Sequence, residues 1–236
     1  MTENKGSSLG PAIVGGLVGA ALTAVVLLFA APQFVSSRIV RQGMLNDPQI
    51  LVDAADALRD RQYAPTLASQ RGVIETPFGS SWKGAERPEV VLVEFYDYAC
   101  PYCKASNPHV DQLLREKPGL RVVYRELPIL GPDSVVAARL SLAASKAGRF
   151  RQFHDALYAA GRPAPETNAA AARIANIPPT PGQDVAIEAE LKKNFSLASQ
   201  LGATGTPLFV VGDRVLSGAV GYEALKKAVE DAQKKS

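Results

Sequence analysis

The spacing of apolar residues changes several times along this chain, and each change marks an element. From Gly6 to Ser37 no residue is charged, and positions 12–31 are apolar apart from Thr23 and several glycines. About 20 helical residues rising about 1.5 Å each reach about 30 Å, the thickness of a bilayer's hydrocarbon core, so this segment is expected to enter a membrane. Asn46-Asp47-Pro48 then offers a capping residue with proline at the first helical position. Ile50, Leu51, Ala54, Ala55, Ala57 and Leu58 follow at helical spacing, predicting an amphipathic helix from about Pro48 to Gln62. Arg71 to Ser81 alternates enough to predict a short edge strand ending in a Gly79-Ser80-Ser81 turn. Val90 to Tyr96 is a nearly continuous apolar run, the pattern of a strand covered on both faces.

A helix is expected after Pro101, and Leu120 to Glu126 reads as the next strand. Strand, helix and strand joined by a short link form a parallel βαβ unit. Helical patterns follow over Ser134 to Ala147, Phe150 to Ala160, Thr167 to Ile177 and Asp184 to Leu201, punctuated by Gly148, Gly161 and the run from Pro178 to Gly182. Pro207 to Gly212 and Arg214 to Ser217 predict a hairpin turning at Gly212-Asp213, and Tyr222 to Ala232 a closing amphipathic helix. These patterns divide the chain into residues 1–36, a tail and membrane segment; 37–71, a linker and amphipathic helix; and 72–236, one α/β domain with a helical insertion over about 131–201.

Composition narrows the picture only slightly. Of 236 residues, 47% are apolar and 21% charged, ordinary values for a globular chain. A net charge of +3 with interleaved signs makes no single-signed surface, which argues against nucleic acid as a partner. A secretory signal would need a small residue three positions before its cleavage point. Cleavage after Ala30 or Ala31 would put Leu28 or Phe29 there, so a retained anchor is favoured and a cleaved signal is the alternative. Gly15 and Gly19 form a GxxxG step that could pack two anchors together.

The chemistry gathers at Cys100-Pro101-Tyr102-Cys103, which holds both cysteines of the chain between a predicted strand and a predicted helix. That junction sets one sulfur at the helix N-terminus, where unpaired N–H groups and the helix dipole favour thiolate over thiol. A disulfide-forming pair belongs in an oxidising compartment, which places residues 1–8 inside and the remainder outside. Lys5 against Arg38 and Arg41 supports that orientation poorly, but long domains translocate largely regardless of charge. Structural zinc needs four ligands, and His109 and His154 do not stand at a finger-like spacing from the cysteines; each reads as a surface or packing histidine. No metal site and no cofactor is called for.

The run from Glu94 to Lys104, with Gly205-Thr206-Pro207 far downstream, resembles the DsbA-type periplasmic thiol-disulfide oxidoreductases of the thioredoxin superfamily. The resemblance covers roughly Val73 to Ala232, and the preceding Asp47-Pro48 helix resembles that of the ScsC-like branch. It implies a thioredoxin-like α/β fold with an inserted helical domain, preceded here by a transmembrane helix and a short amphipathic helix. It also implies that Cys100 is the exposed nucleophile and Cys103 the buried resolving thiol, with Pro101 at the first helical turn. Tyr102 stands where the best-known members carry histidine, so either one source of thiolate stabilisation is missing or the tyrosine is a substrate contact. Thr206-Pro207 matches the family's cis proline facing the nucleophile and is the implied substrate-binding segment; threonine there resembles the isomerase and reductase branches.

Glu94 matches a buried carboxylate of the family, implying proton handling near Cys103, with a salt bridge to Lys104 as the alternative. Asp97 is expected to supply turn or helix-start hydrogen bonds. The implied partners are unfolded or misoxidised exported proteins, a membrane redox partner for the cysteine pair and the membrane itself; the Pro48–Gln62 stripe packs either on the downstream domain or on further copies of this chain. The implied location is the inner membrane, single-pass, with the catalytic domain in the periplasm; a soluble periplasmic protein is the alternative. Oxidase and isomerase or reductase directions stay open. A different reading is a copper-handling or chaperone-like envelope protein that holds Cu(I) on the same two thiolates.

Overall fold

The computed structural model describes residues 31–180 and 182–234. The membrane segment expected over 12–31 and its glycine pair therefore lie, apart from Ala31, outside the described residues. No described helix is long and apolar enough to cross a membrane. Contacts divide the chain into two compact units, with the boundary between Leu58 and Arg59. The first unit holds α1 (Ala31–Asn46) and the start of α2 (Gln49–Glu75). Ile39, Leu45, Ile50, Leu51 and Leu58 are all exposed there.

In the second unit the remainder of α2 is followed by β1 (Trp82–Gly84), β2 (Val90–Tyr96), α3 (Pro101–Glu116) and β3 (Leu120–Glu126). Four helices come next: α4 (Pro132–Lys146), α5 (Phe150–Ala160), α6 (Pro165–Ile174) and α7 (Val185–Gln200). β4 (Leu208–Val211), β5 (Arg214–Ser217) and α8 (Gly221–Gln233) close the chain. The sheet order is β1-β3-β2-β4-β5, with β2 and β3 parallel and every other pairing antiparallel. This is a thioredoxin-like arrangement with the helical block between β3 and β4.

Alternation along the strands sorts their side chains onto two covered faces. Leu92, Tyr96, Val122, Tyr124 and Phe209 join Val110 of α3, Phe150 and Phe153 of α5 and Val229 of α8 in one core. Val93, Phe95, Val123, Leu208 and Val210 pack with Leu67 and Ile74 of α2 and Leu197 of α7 in the other. Glu94 lies in register with Tyr124 and with Phe209, so its carboxyl projects into the first core beneath α3.

The edge strand expected over Arg71–Ser81 is not present. Residues up to Glu75 continue α2, and the edge strand is the shorter Trp82–Gly84, antiparallel to β3. The expected stop at Gln62 fails for the same reason, because α2 runs through Pro65. Proline in a helix interior removes one hydrogen bond, but burial of Leu67 and Ile74 against the sheet rewards continuing the helix. The end of α2 is then capped from the sheet. Arg125 donates to the carbonyls of Val73, Ile74 and Thr76, so chain-terminal acceptors that a strand would have paired laterally find one buried guanidinium. Gly79 turns the chain at φ +53°, where an added Cβ would lie 2.6 Å from the Ser145 carbonyl oxygen.

Candidate active site

At its C-terminal end β2 leads through Asp97-Tyr98-Ala99 to Cys100, the N-cap residue of α3. The amide of Cys100 donates to the Asp97 carbonyl at 3.0 Å, and the Cys100 carbonyl accepts from Lys104 N–H at 3.2 Å as α3 begins. Pro101 fills the first helical position, where a missing N–H costs nothing. Cys103 lies one turn in. Both cysteines are free thiols.

Cys100 is only 4% exposed and Cys103 is fully buried. The expectation of an exposed nucleophile is thus corrected. The cis Thr206–Pro207 segment lies against Cys100, with the Thr206 carbonyl accepting from its thiol at 3.2 Å. Tyr102, by contrast, points outward and is 64% exposed. The fold therefore brings Cys100, Cys103 and Thr206–Pro207 together across 106 residues of chain.

Burial, followed by the charge of Glu94, pushes the Cys103 thiol well up; hydrogen bonds from the Asp97 backbone and the Thr206 side chain oppose that rise. Glu94 is pushed up to about 8, chiefly by burial, with Lys83 opposing and Asp111 adding to the shift. Neither Glu94 oxygen has a hydrogen-bond partner among the described residues, so the salt bridge to Lys104 is not formed, and Lys104 itself is exposed. Lys83 instead pairs with Asp155 at 2.6 Å and stands 3.9 Å from Asp111.

Asp97 does more than cap a turn. One carboxylate oxygen accepts from Ala99 N–H at 2.8 Å and from the Ser134 hydroxyl at 2.6 Å. The other accepts from Ile129 N–H at 2.8 Å and Leu130 N–H at 2.9 Å, in the loop after β3.

One further feature escaped the sequence reading. Tyr96 donates to Glu126; its hydroxyl lies 3.0 Å from that of Tyr98, which in turn meets the Ser141 hydroxyl at 3.0 Å. Burial holds the Glu126 carboxyl well above its ordinary range. His154, read as a packing histidine, is buried in a ring of Tyr96, Tyr98, Tyr124, Phe150 and Tyr158. Its Nδ1 meets Asp155 at 3.0 Å while Nε2 has no hydrogen-bond partner among the described residues, and burial pushes it down to about 4. The signal for Glu126 was the β2–β3 register, which sets it opposite Tyr96.

A family model described as a DSBA-like thioredoxin domain matches residues 91–230. Among solved structures, the catalytic domain of Proteus mirabilis ScsC is 29% identical with a TM-score of 0.67, covering 72% of this chain and 98% of that one. The thiol-disulfide exchange protein α-DsbA2 from Wolbachia pipientis is 26% identical with a TM-score of 0.62, covering 75% of this chain and 97% of that one. A curated relative, the Na⁺/H⁺ antiporter NhaA 1 of Salinispora arenicola, is 30% identical over 184 residues, 73% of this chain. The chain spans only 28% of the length of the curated relatives it matches.

Proposed function

The chain belongs to the family of DSBA-like thioredoxin domains, and from that premise we propose that it exchanges disulfides with exported proteins through Cys100 and Cys103. The observation that carries this reading is the grouping of Cys100 at the α3 N-terminus against the Thr206 carbonyl, Cys103 one turn below, and a Glu94 with no hydrogen-bond partner among the described residues within the same core.

In the oxidising direction, a substrate thiolate attacks Cys100 Sγ of the paired disulfide. The Cys100–Cys103 bond breaks, and Cys103 leaves as a thiolate that takes the proton of Glu94. A second substrate thiolate then attacks the substrate sulfur of the mixed disulfide, forming the substrate's disulfide and releasing Cys100 as a thiolate. Reduction is this sequence reversed. In isomerisation Cys100 attacks a substrate disulfide and is later displaced by another substrate thiol. Glu94 suits this task because a carboxyl near 8 both gives and takes a proton close to neutral pH.

Thr206 and Pro207 form the substrate-binding segment facing Cys100, Pro101 and Tyr102 complete the motif, and Thr206 weighs towards isomerisation or reduction. The partners are unfolded or misoxidised exported proteins and a membrane redox protein that resets the cysteine pair, with this domain on the periplasmic side of an inner-membrane anchor. The exposed apolar positions of α1 and α2 suit association with further copies of the chain; sedimentation with and without residues 36–70 tests that point. Cys100→Ser is expected to abolish exchange with reduced or scrambled protein substrates, and undiminished activity would refute the mechanism. A glutathione redox titration of the pair assigns direction: a strongly oxidising value marks a disulfide donor, a more reducing one a shuffling or reducing enzyme. Stoichiometric Cu(I) retention without any exchange activity would replace the enzyme with a copper-binding protein.

A further inference from the structure

Asp97 is buried, its carboxylate accepts four hydrogen bonds, and the bonds from its two oxygens lead to different places. One oxygen holds the amide of Ala99, the residue before the nucleophile, and the Ser134 hydroxyl at the start of α4. The other holds the consecutive amides of Ile129 and Leu130. A buried carboxylate with this many donors is a rigid node, because each amide released from it would lose its acceptor away from water. The node's position is what matters. Ile129 and Leu130 are 39% and 44% exposed although their amides are anchored inside the protein. Their backbone is thus tied, through a single carboxylate, to the turn that ends at Cys100.

We propose that Asp97 is a positioning residue that locks the nucleophile's turn to the Ile129–Leu130 loop, so that the sulfur and an exposed apolar pair meet an unfolded polypeptide as one surface. This rests on the disulfide-exchange reading above and adds a specificity to it. A folded or small thiol substrate needs only Cys100. An unfolded chain, which carries apolar side chains near its cysteines, gains from apolar surface held at a constant distance from the attacked sulfur, since no loop ordering is spent on binding.

The test uses the full chain and two substrates, oxidised glutathione and reduced, unfolded lysozyme, with kcat/KM measured for each. Glutathione reports the cysteine chemistry alone, so its failure would indict the disulfide-exchange reading rather than this proposal. Asp97→Ala is expected to lower exchange with glutathione severalfold and with lysozyme by a further factor of about ten, the discrimination of a few well-placed contacts. The double substitution Ile129→Ser and Leu130→Ser is expected to lower exchange with lysozyme about tenfold and with glutathione less than twofold. Combining it with Asp97→Ala should cost nothing more in the lysozyme-to-glutathione ratio, because the two changes remove the same contact. Additive losses in that ratio, or equal losses on both substrates in Asp97→Ala, would overturn the proposal. Should Asp97→Ala not fold, the loop double variant decides alone: unchanged exchange with lysozyme refutes it.

Discussion

The two faces of the central sheet bury charge in opposite ways. On the α2 and α7 face, Arg125 has a partner for every nitrogen: the carbonyls of Val73, Ile74 and Thr76, Glu190 at 2.9 Å and Asn194 at 2.8 Å. Glu190 is in turn paired with Lys193. On the α3 and α5 face, Glu94 has none among the described residues, His154 satisfies one nitrogen of two there, and burial holds the Glu126 carboxyl well above its ordinary range among tyrosines. The first arrangement is what a structural charge requires, since a buried ion is tolerable only when fully paired. The second keeps Glu94, pushed up to about 8, in the same core as the cysteines, at a cost in stability. Saturated bonding marks architecture here, and deficient bonding marks the face on which the proposed proton transfer would run.

The largest effect should come from breaking the saturated face. Arg125→Ala leaves three carbonyls, Glu190 and Asn194 without their donor, and a loss of about 3–5 kcal/mol is expected, or a melting temperature lower by about 10 °C in a domain of this size. Thiol exchange by the protein that remains folded should be unchanged, and a selective loss of activity at full stability would erase the distinction between the faces.

Glu94→Gln should do the reverse. The unfolded carboxyl titrates near 4.5 and the folded one near 8, so the folded state binds the extra proton between these values and stability falls as pH rises through that window. Removing the carboxyl should therefore stabilise the protein by about 3 kcal/mol at pH 7, an advantage that shrinks to nothing near pH 4.5. The same variant should slow the step that involves Cys103 by about a hundredfold, read by stopped-flow release from a mixed disulfide. A variant neither more stable nor slower would leave Glu94 without a role.

His154 gives a smaller effect of opposite slope. Its folded value near 4 lies below the unfolded 6.5, so the neutral ring contributes stability that is lost as pH falls through that range. His154→Phe should gain about 2 kcal/mol relative to wild type at pH 5 and almost nothing at pH 8. Thermal melts at the two values would show it, and a pH-independent difference would place the histidine outside the titrating cluster.

Much of this was legible in one dimension. The apolar run of β2 and the CxxC pair after it were readable because each is a local pattern with a fixed meaning, a two-sided strand and a sulfur at a helix start; Thr206-Pro207 was singled out by the family resemblance. The α2 extension was not readable, since Pro65 and the β-branched Val73-Ile74 pair argue locally against a helix, whereas burial of Leu67 and Ile74 and the carbonyl contacts of Arg125, 49 residues beyond Thr76, favour it. The Glu94–Lys104 pairing failed for a related reason. Proximity along the chain says little about which charge a side chain faces when its strand turns it into the core.

What the order of residues determined by itself was the element sequence from β2 onward, the cysteine pair and the resemblance, because periodicity and short motifs act within a few residues of where they are written. Tertiary structure alone decided that Thr206 bonds Cys100, that Asp97 reaches the Ile129–Leu130 loop and that Glu94 has no hydrogen-bond partner among the described residues. Those are consequences of strand register and of segments about 30 to 110 residues apart meeting in one core, where burial, more than sequence neighbours, sets each group's partners and its proton.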